Sequence, residues 1–454
     1  MGWRIPQQSI QKCMHDVNLQ WNQFPIGAGR SDHARKKVFL FLQGPNCRFF
    51  TDVAEQLQQL GHRCLRVNLC FSDWLTWKLE GSLNYRGSYS NWKGYISRLM
   101  DSEKVTDLIL NGDQRLYHKT AIKVAKKKGV RVVVTDFGYL RPDWITFESQ
   151  GASGNSLFPK NRSEIRRLAE QGGPVDFKER YWDNAIEFAM KEARSGLLTW
   201  LFGFLYPGYR PFHSHHPISL GVAFSKTYLK KRISQSATRS TIRRLINERF
   251  DNPFYFFPMQ LETDFQIRAY SAYPNQTVPI EEVLISFAEN APENKRLVFK
   301  MHPLDPDLVN WKKTIGSLVR EVGISNRVFF LRDGSIADLL TNACGVVTIN
   351  SSVGLKAIQH GKKLKIMGQA VYDLPGLVFP KNLDEFWKSE FVPDASLFAD
   401  FIQVLASMFQ IRGGWFSRNA LECAVSEAVD RLHNGTVNQL KSNARVVTSD
   451  LSIS

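Results

Sequence analysis

The sequence predicts an α/β protein in which two doubly wound domains face each other across a cleft. Short apolar runs alternate with helical stretches, glycine-containing turns connect them, and the alternation stops near residue 145 and resumes near residue 251. With 454 residues, 43% of them hydrophobic, the chain is long enough for two or three domains with separate cores.

The first Rossmann-like domain is predicted over residues 36–250, after a polar, weakly ordered leader at 1–35. Its strands are continuous apolar runs, which are typical of parallel strands buried on both faces. The predicted strands are Val38–Leu42, Cys64–Leu69, Asp107–Leu110 and Val130–Thr135. The predicted helices are Phe49–Leu60, Trp92–Met100 and Tyr117–Lys128, and Gly129 follows the last of them as a helix C-cap does.

A basic helical segment, residues 160–250, interrupts this pattern and is predicted as part of the first domain. Between Lys226 and Arg249 it contains eight lysines and arginines but only one acid. The apolar stretch Leu197–Leu205 precedes these residues, and it is much shorter than the roughly 20 apolar residues of a membrane-spanning helix. The apolar stretch is therefore long enough to lie on a membrane surface but too short to cross a membrane.

The second Rossmann-like domain is predicted over residues 251–380, followed by a helical tail with a frayed end at 381–454. The predicted strands are Phe254–Phe257, Arg296–Met301, Arg327–Leu331, Gly345–Ile349 and Lys363–Met367. The predicted helices are Ile280–Glu289, Leu308–Val322, Ser335–Asn342 and Val353–His360.

Composition and motifs exclude several classes of protein. The net charge of +16 indicates an anionic partner, which leaves nucleic acid, an acidic membrane surface and acidic substrates open. Neither GxxxxGK[ST] nor GxGxxG occurs, which argues against a P-loop ATPase and against NAD or FAD binding. The six cysteines form no CxxC pair and the N-terminus lacks a secretory signal, so a cytoplasmic protein with reduced thiols is expected. The histidines of 213–216 lack neighbouring cysteines or acids, so no metal site is expected.

Candidate functional residues of the first domain follow the predicted strands, because ligands of such sheets bind outside the strand carboxyl ends. They are Gln43, Gly44, Asp113, Asp136, Gly138, Tyr139, Arg141 and Asp143. Each has a structural alternative: Gly44-Pro45 can be a plain tight turn, and Asp113 can cap the following helix. Asp136 or Asp143 can form an ion pair with Arg141.

Two segments of the second domain are compatible with a phosphate. Lys300, His302 and Pro303 follow one strand, and Asn350, Ser351, Ser352 and Gly354 join another strand to a helix. A helix N-terminus with hydroxyl groups and free N–H groups can bind phosphate, although Ser352 can equally be an ordinary N-cap.

Eight segments, in order from about residue 38 to 380, resemble the bacterial capsule polysaccharide biosynthesis/export family of the KpsS/LipB type. They are Leu42–Pro45, Asn68–Trp74, Tyr85–Gly87, Gly112–Asp113, Gly138–Thr146, Met259–Ile267, Lys300–Pro303 and Asn350–Gly354. The resemblance implies a glycosyltransferase of the GT-B fold. It would transfer 3-deoxy-octulosonic acid (Kdo) from CMP-Kdo to a phosphatidylglycerol lipid at the inner face of the cytoplasmic membrane.

The same resemblance implies roles for individual residues. His302-Pro303 and Ser351-Ser352 match family elements associated with CMP, which would be part of a substrate, and neither cofactor nor metal is implied. Asp136, Asp113 and His302 are the candidate catalytic residues, and Gln260 and Asp264 join the candidate cleft residues. Phe137 stands where the family usually has a second acid, which leaves the roles of the acids open.

Two other functions remain under consideration, together with a peripheral membrane location. One is a non-catalytic capsule export or assembly component that binds lipid-linked glycan, and the other is nucleic-acid binding, for which no recognisable module is present. The expected partners are a CMP-sugar, a phospholipid acceptor, an anionic inner-membrane surface and other capsule proteins. The residues expected at the membrane are Lys226, Lys230, Lys231, Arg232, Arg239, Arg243 and Arg244.

Overall fold

The structure is a computed structural model that describes residues 36–440 apart from 182–184, 212–216, 248–252 and 263–264. The strands of the first half are β1 (Val38–Phe41), β2 (Arg63–Asn68), β3 (Ser82–Asn84), β4 (Asp107–Asn111), β5 (Arg131–Phe137) and β6 (Trp144–Ser149). The remaining strands are β7 (Phe254–Pro258), β8 (Arg296–Lys300), β9 (Val328–Leu331), β10 (Ala343–Thr348), β11 (Lys363–Ile366) and β12 (Gln410–Arg412).

The helices of the first half are α1 (Phe49–Gln59), α2 (Phe71–Thr76), α3 (Tyr89–Ser102), α4 (Leu116–Lys127), α5 (Arg162–Gln171), α6 (Ala185–Leu201) and α7 (Pro217–Asn247). Those of the second half are α8 (Phe265–Ala269), α9 (Thr277–Asn290), α10 (Trp311–Glu321), α11 (Ile336–Asn342), α12 (Val353–Gln359), α13 (Leu383–Phe386), α14 (Ala395–Val404) and α15 (Arg418–Asn434).

The first sheet has the strand order β12-β6-β5-β4-β1-β2-β3. Its strands β1 to β5 are parallel, whereas β6 and β12 run antiparallel to their neighbours. The order β3-β2-β1-β4-β5 is that of a doubly wound fold, in which chain direction across the sheet reverses between β1 and β4. This switch point leaves a crevice at the carboxyl ends of those two strands.

The second sheet repeats this topology with five parallel strands in the order β11-β10-β7-β8-β9. Its switch point lies between β7 and β10. The two doubly wound sheets confirm the fold class that the alternation predicted.

The strands are apolar at successive positions because both faces of each sheet are covered. In β1, Leu40 packs in one core with Val67, while Phe39 and Phe41 pack in another core with Phe49. Alternate residues of β7 likewise belong to the two cores on opposite faces of the second sheet. A strand buried on both sides must be apolar at every position.

Residues 381–440 contain the helices α13, α14 and α15, which confirms the predicted helical C-terminal region, and the elements β12 and α15 of this region join the first domain. Strand β12 pairs antiparallel with β6, and α15 packs against α1 in the core that contains Phe49. A three-residue strand has too few residues to show a sequence pattern, and its pairing depends on contacts more than 260 residues away in sequence.

Helix α7, which carries the basic residues expected at the membrane, contacts the second domain as well. Leu245 is fully buried in a core of the second sheet with Phe254 and Leu331. The Thr227 hydroxyl donates to the Pro306 carbonyl at 2.8 Å. The basic segment therefore links both domains, although the sequence assigned it to the first.

Candidate functional site

Polar residues occupy the switch points of both sheets. Gln43 follows β1, and its carbonyl accepts the Asn111 N–H at 3.0 Å, which joins the ends of β1 and β4. Gly44 leaves no room for a side chain, because an added Cβ would lie 2.6 Å from the Phe50 ring. The Gln43 amide nitrogen donates to the Tyr209 hydroxyl at 3.2 Å. This loop is consequently held rigidly beside the crevice.

Asp113 connects the two domains directly. The Tyr270 hydroxyl, from the second domain, donates to Asp113 Oδ1 at 2.5 Å, and Asn155 Nδ2 donates to Oδ2 at 2.9 Å. Burial and the Asp113 charge both raise the pKa of Tyr270, so the phenol remains a donor. Arg115 occupies the N-cap position of α4, so the capping alternative for Asp113 does not hold. The contact places the carboxyl edges of the two sheets opposite each other.

Asp136 ends β5 at the same edge of the first sheet. Its Oδ1 accepts the Phe137 N–H at 2.8 Å. Burial raises the pKa of Asp136 to about 6, against the opposing effects of that hydrogen bond and of Arg115. A carboxyl with this pKa is mostly ionised at neutral pH yet readily accepts a proton, which suits a general base.

The loop after Asp136 is shaped by close packing. A Cβ at Gly138 would lie 2.0 Å from the Trp144 carbonyl oxygen, so only glycine fits. Arg141 donates to the Gly138 carbonyl at 3.2 Å and lies over the Phe137 ring, 4.7 Å from its centroid.

Asp143 connects segments of the chain that are distant in sequence. Its carboxylate accepts backbone N–H groups of Arg180 and Tyr181 and forms an ion pair with Arg412 at 2.9 Å. The partner in this ion pair is Arg412 of β12, whereas the sequence had suggested Arg141. Asp143 therefore links β12 and the chain near residue 180 to the loop between β5 and β6.

Glu148 is an acid of this edge that sequence reasoning missed. It is fully buried on β6, where Tyr139 donates to Oε1 at 2.8 Å and Ser156 donates to Oε2. Burial raises the pKa of Glu148 to about 8, and the negative charges of Asp113 and Asp136 act in the same direction. The apolar–polar alternation of 144–149 was the available signal, but it is short and lies where the regular pattern ends.

The second switch point is lined by amides. Gln260, after β7, and Asn350, after β10, exchange hydrogen bonds at 2.8 and 3.1 Å. Gln276 exchanges two further bonds with the backbone of Gln260 at 2.6 and 3.0 Å. The switch point between β7 and β10 is therefore lined by amides, whereas that of the first sheet lies beside acids.

The predicted phosphate residues lie beside these amides. Lys300 is buried at the end of β8, next to β7. His302 Nδ1 accepts the Leu304 N–H at 3.1 Å, so the proton of a neutral ring is on Nε2, which can donate to an anion. Pro303, which follows, is exposed.

The 350–354 loop is packed against Tyr372. Its hydroxyl donates to the Ser351 carbonyl at 2.5 Å, and a Cβ at Gly354 would lie 2.4 Å from the same hydroxyl oxygen. Ser352 stands at the N-cap of α12 without a side-chain capping bond, so the N-cap alternative is not realised in hydrogen bonding.

The basic residues of α7 differ in their environments. Lys230 is paired at 2.8 Å with the buried carboxylate of Asp307, which also binds Arg332. Arg244 lies over the Phe329 ring, and it is exposed, as are Lys226, Arg232, Arg239 and Arg243. The side chain of Lys231 and the whole of Asp264 lie outside the described residues. Within the described ranges, no group of three acids, histidines or cysteines is arranged to hold a metal ion.

Residues 106–416 match the family model described as "Capsule polysaccharide biosynthesis protein". The chain belongs to this family. The chain is 33% identical over 384 residues to the capsule polysaccharide export protein KpsS of Escherichia coli, which covers 84% of this chain and 97% of that protein. It is 25% identical over 398 residues to the capsule polysaccharide modification protein LipB of Neisseria meningitidis serogroup B, which covers 84% and 91%. The predicted resemblance is confirmed.

A search of solved structures finds more distant likenesses for this capsule-family member. The β-Kdo 2,7-transferase of KpsC from Thermosulfurimonas dismutans has a TM-score of 0.43 at 16% identity and covers 88% of this chain and 99% of its own. An MnaA–UDP structure from S. aureus has a TM-score of 0.32 at 11% identity, covering 88% and 96%.

Proposed function

We propose that this capsule-family protein is a glycosyltransferase that transfers Kdo, or a related acidic sugar, from a CMP-sugar to a phosphatidylglycerol-type lipid during capsule assembly. The observation that carries the proposal is the Asp113–Tyr270 contact, which joins an acidic switch point to a second one that is lined by amides and compatible with a phosphate. A transferase must bring an acceptor and a donor together, and two facing crevices of unlike chemistry suit those two substrates.

The second domain suits the donor. Departure of CMP leaves negative charge on the phosphate, and a positioned donor at that point stabilises the transition state. His302 Nε2 and the hydroxyls of Ser351 and Ser352 would supply such donors from the carboxyl ends of β8 and β10. These protein groups can provide the charge stabilisation without a metal.

The first domain suits the reacting acceptor. Asp136 would act as general base on the acceptor hydroxyl, or as the nucleophile of a two-step reaction. Asp113 is engaged with Tyr270 and Asn155, so it would align the domains. Asp136 is therefore the first choice for the reacting acid.

A lipid acceptor is consistent with the surface of α6 and α7. Leu201 and Phe204, at and just beyond the end of α6, are 49% and 73% exposed, and α6 contacts the basic helix α7. Exposed apolar side chains next to exposed arginines fit the surface of an anionic membrane. None of the helices within the described residues is both long and apolar enough to span a bilayer.

The decisive experiment measures CMP or UDP release and lipid glycosylation with CMP-Kdo, CMP-sialic acid and UDP-sugars in turn, using phosphatidylglycerol vesicles as acceptor. We expect CMP release with CMP-Kdo that depends on the lipid, and chelation of divalent metals should leave the rate unchanged. A folded protein that releases nucleotide from none of these donors would contradict the proposal.

Membrane binding is tested separately by sedimentation with phosphatidylglycerol vesicles. Reversing both charges in Arg239→Glu/Arg243→Glu should weaken binding at least tenfold, since each basic residue near such a surface adds about 1 kcal/mol. The matched control, Lys312→Glu/Lys313→Glu on α10 of the second domain, should bind like the wild type. Equal binding of the two double variants would show that α7 does not face the membrane.

A non-catalytic capsule component is the second candidate, and Phe137 is the observation that favours it. This residue is 37% exposed beside Asp136, at the position where the sequence resemblance implies a second acid. A protein of this kind would bind a lipid-linked glycan with micromolar or better affinity yet release no CMP. Lipid-dependent CMP release excludes it.

A further inference from the structure

Glu148 is held in an environment that stability alone does not explain. It is fully buried, and its two oxygens accept hydrogen bonds from Tyr139 and Ser156. The ion pairs found among the described residues do not include Glu148. A buried carboxyl without a cation costs folding free energy, and perturbed acids of this kind concentrate at functional sites.

The neighbours of Glu148 across the sheet include another acid. In the β5–β6 pairing, Glu148 is opposite Val134, and Asp136 is opposite Thr146. Asp136 and Glu148 are therefore diagonal neighbours on one face of the sheet, with Cα atoms roughly 7–8 Å apart. At that separation, the charge state of one carboxyl affects the other.

The pKa values of the two acids separate their roles. Burial, assisted by Asp113 and Asp136, raises the pKa of Glu148 to about 8, while hydrogen bonds from Ser156 and Tyr139 oppose this rise. Burial raises the pKa of Asp136 only to about 6. At neutral pH one acid holds a proton and the other is ionised, as in other sites where two carboxyls perform different tasks.

A chain of hydrogen bonds runs from Glu148 to the other domain. Tyr139, which donates to Glu148, accepts the Ser153 N–H at 2.6 Å. Ser153 begins the short helical turn Ser153–Asn155, and Asn155 donates to Asp113, which binds Tyr270 of the second domain. A Cβ at Gly154 would lie 2.6 Å from the Tyr270 ring, so the turn fits closely against that residue.

We propose that Glu148 is a positioning residue of the transfer reaction. With Tyr139 it holds the turn Ser153–Asn155 against Asp113, and because Glu148 carries a proton itself, it adds no second negative charge beside the ionised Asp136. The role rests on the proposed function, whereas the protonation of Glu148 is a property of the fold.

The first test compares the pH profiles of CMP release. Glutamine has nearly the shape of a protonated glutamate but cannot ionise, so Glu148→Gln should keep kcat at pH 7 within tenfold and donor KM within twofold. The wild type should lose activity above about pH 8, and this alkaline decline should be absent in Glu148→Gln. The control Glu55→Gln, at an exposed position of α1, should retain the wild-type profile. An unchanged alkaline decline in Glu148→Gln would overturn the proposal.

Tyr139→Phe tests the hydrogen-bond chain. It removes the hydroxyl between Glu148 and the Ser153 N–H, so kcat should fall about tenfold with little change in donor KM. In the double variant with Glu148→Gln, the two losses should not add, because both residues act through the same turn. Additive losses would contradict a shared role.

The second test does not depend on the reaction. The pKa of Glu148 is raised from 4.5 to about 8 in the folded protein, so the folded state binds one more proton between these values. Wild-type stability should therefore fall relative to Glu148→Gln as pH rises from 5 to 9 in thermal unfolding. If the unfolding midpoints of the wild type and of Glu148→Gln differ by the same amount at pH 5 and at pH 9, Glu148 does not carry the extra proton in the folded state. A pH-dependent difference without sugar transfer from any donor would instead refute the proposed function and, with it, the reaction role.

Discussion

The carboxyl edges of the two sheets share one strand order but carry opposite kinds of side chain. At the first edge, Asp113, Asp136 and Glu148 lie close enough for their charges to affect one another. At the second edge, Gln260 and Asn350 exchange amide hydrogen bonds. The same strand order therefore presents different chemistry at the two edges, since that chemistry depends on the residues just after the strands.

The largest effect is expected from a variant that removes Asp136, the proposed reacting acid of the first edge. Asp136→Asn keeps the side-chain shape but cannot accept a proton, so CMP-release turnover should fall about 10³-fold, within the range of general-base catalysis. The control is Asp101→Asn, at an exposed acid that ends α3 and pairs with Lys128. Turnover in Asp136→Asn equal to that of the control would show that the acidic edge does not carry the chemistry.

A smaller loss is expected from the second edge. His302→Ala removes the proposed donor to the departing phosphate, which should lower kcat about 100-fold. His302→Gln retains an N–H donor and should recover part of this loss. Wild-type kcat in His302→Ala would remove the phosphate role from the second domain.

Loss of the Tyr270–Asp113 contact between the two edges should lower kcat/KM about tenfold. Tyr270→Phe removes only the hydroxyl that donates to Asp113, and hydrogen bonds to charged groups contribute about 1.5–3 kcal/mol. We expect kcat/KM to fall about tenfold or more. Tyr273→Phe, whose hydroxyl donates to the Glu282 carboxylate of its own domain, is the matched control and should have little effect. Equal kinetics of the two variants would show that the two edges work independently of this contact.

The smallest effect is the loss of activity as the pH falls toward 6. The pKa of Asp136 is raised to about 6, and its ionised fraction falls as pH falls, so activity should be about half-maximal near pH 6 and decline about tenfold per unit below pH 5. The measurement is kcat against pH, with unfolding followed in parallel to separate inactivation from protonation. A flat profile between pH 5 and 7 would exclude Asp136 as the base.

Much of this arrangement could be predicted from the sequence because it depends on local patterns. Apolar runs of four to six residues predicted nine of the twelve strands in the part of the chain that the structure describes, and the residues after them included Asp113, Asp136 and Asn350. Strands β3, β6 and β12 were missed. The first and last have three residues each, and β6 runs antiparallel in a region without regular alternation. Glu148 was missed together with its strand.

The sequence by itself determined which residues follow the strands, because buried strands and amphipathic helices show as hydrophobic patterns among residues that are neighbours in sequence. Only the tertiary structure decided their partners. Asp143 binds Arg412, 269 positions away, and Asp113 binds Tyr270, 157 positions away. The raised pKa values of Asp136 and Glu148 likewise arise from burial and from the charge of Asp113, to which Asp136 adds in the case of Glu148. Such interactions depend on distance in space, which local sequence patterns do not encode.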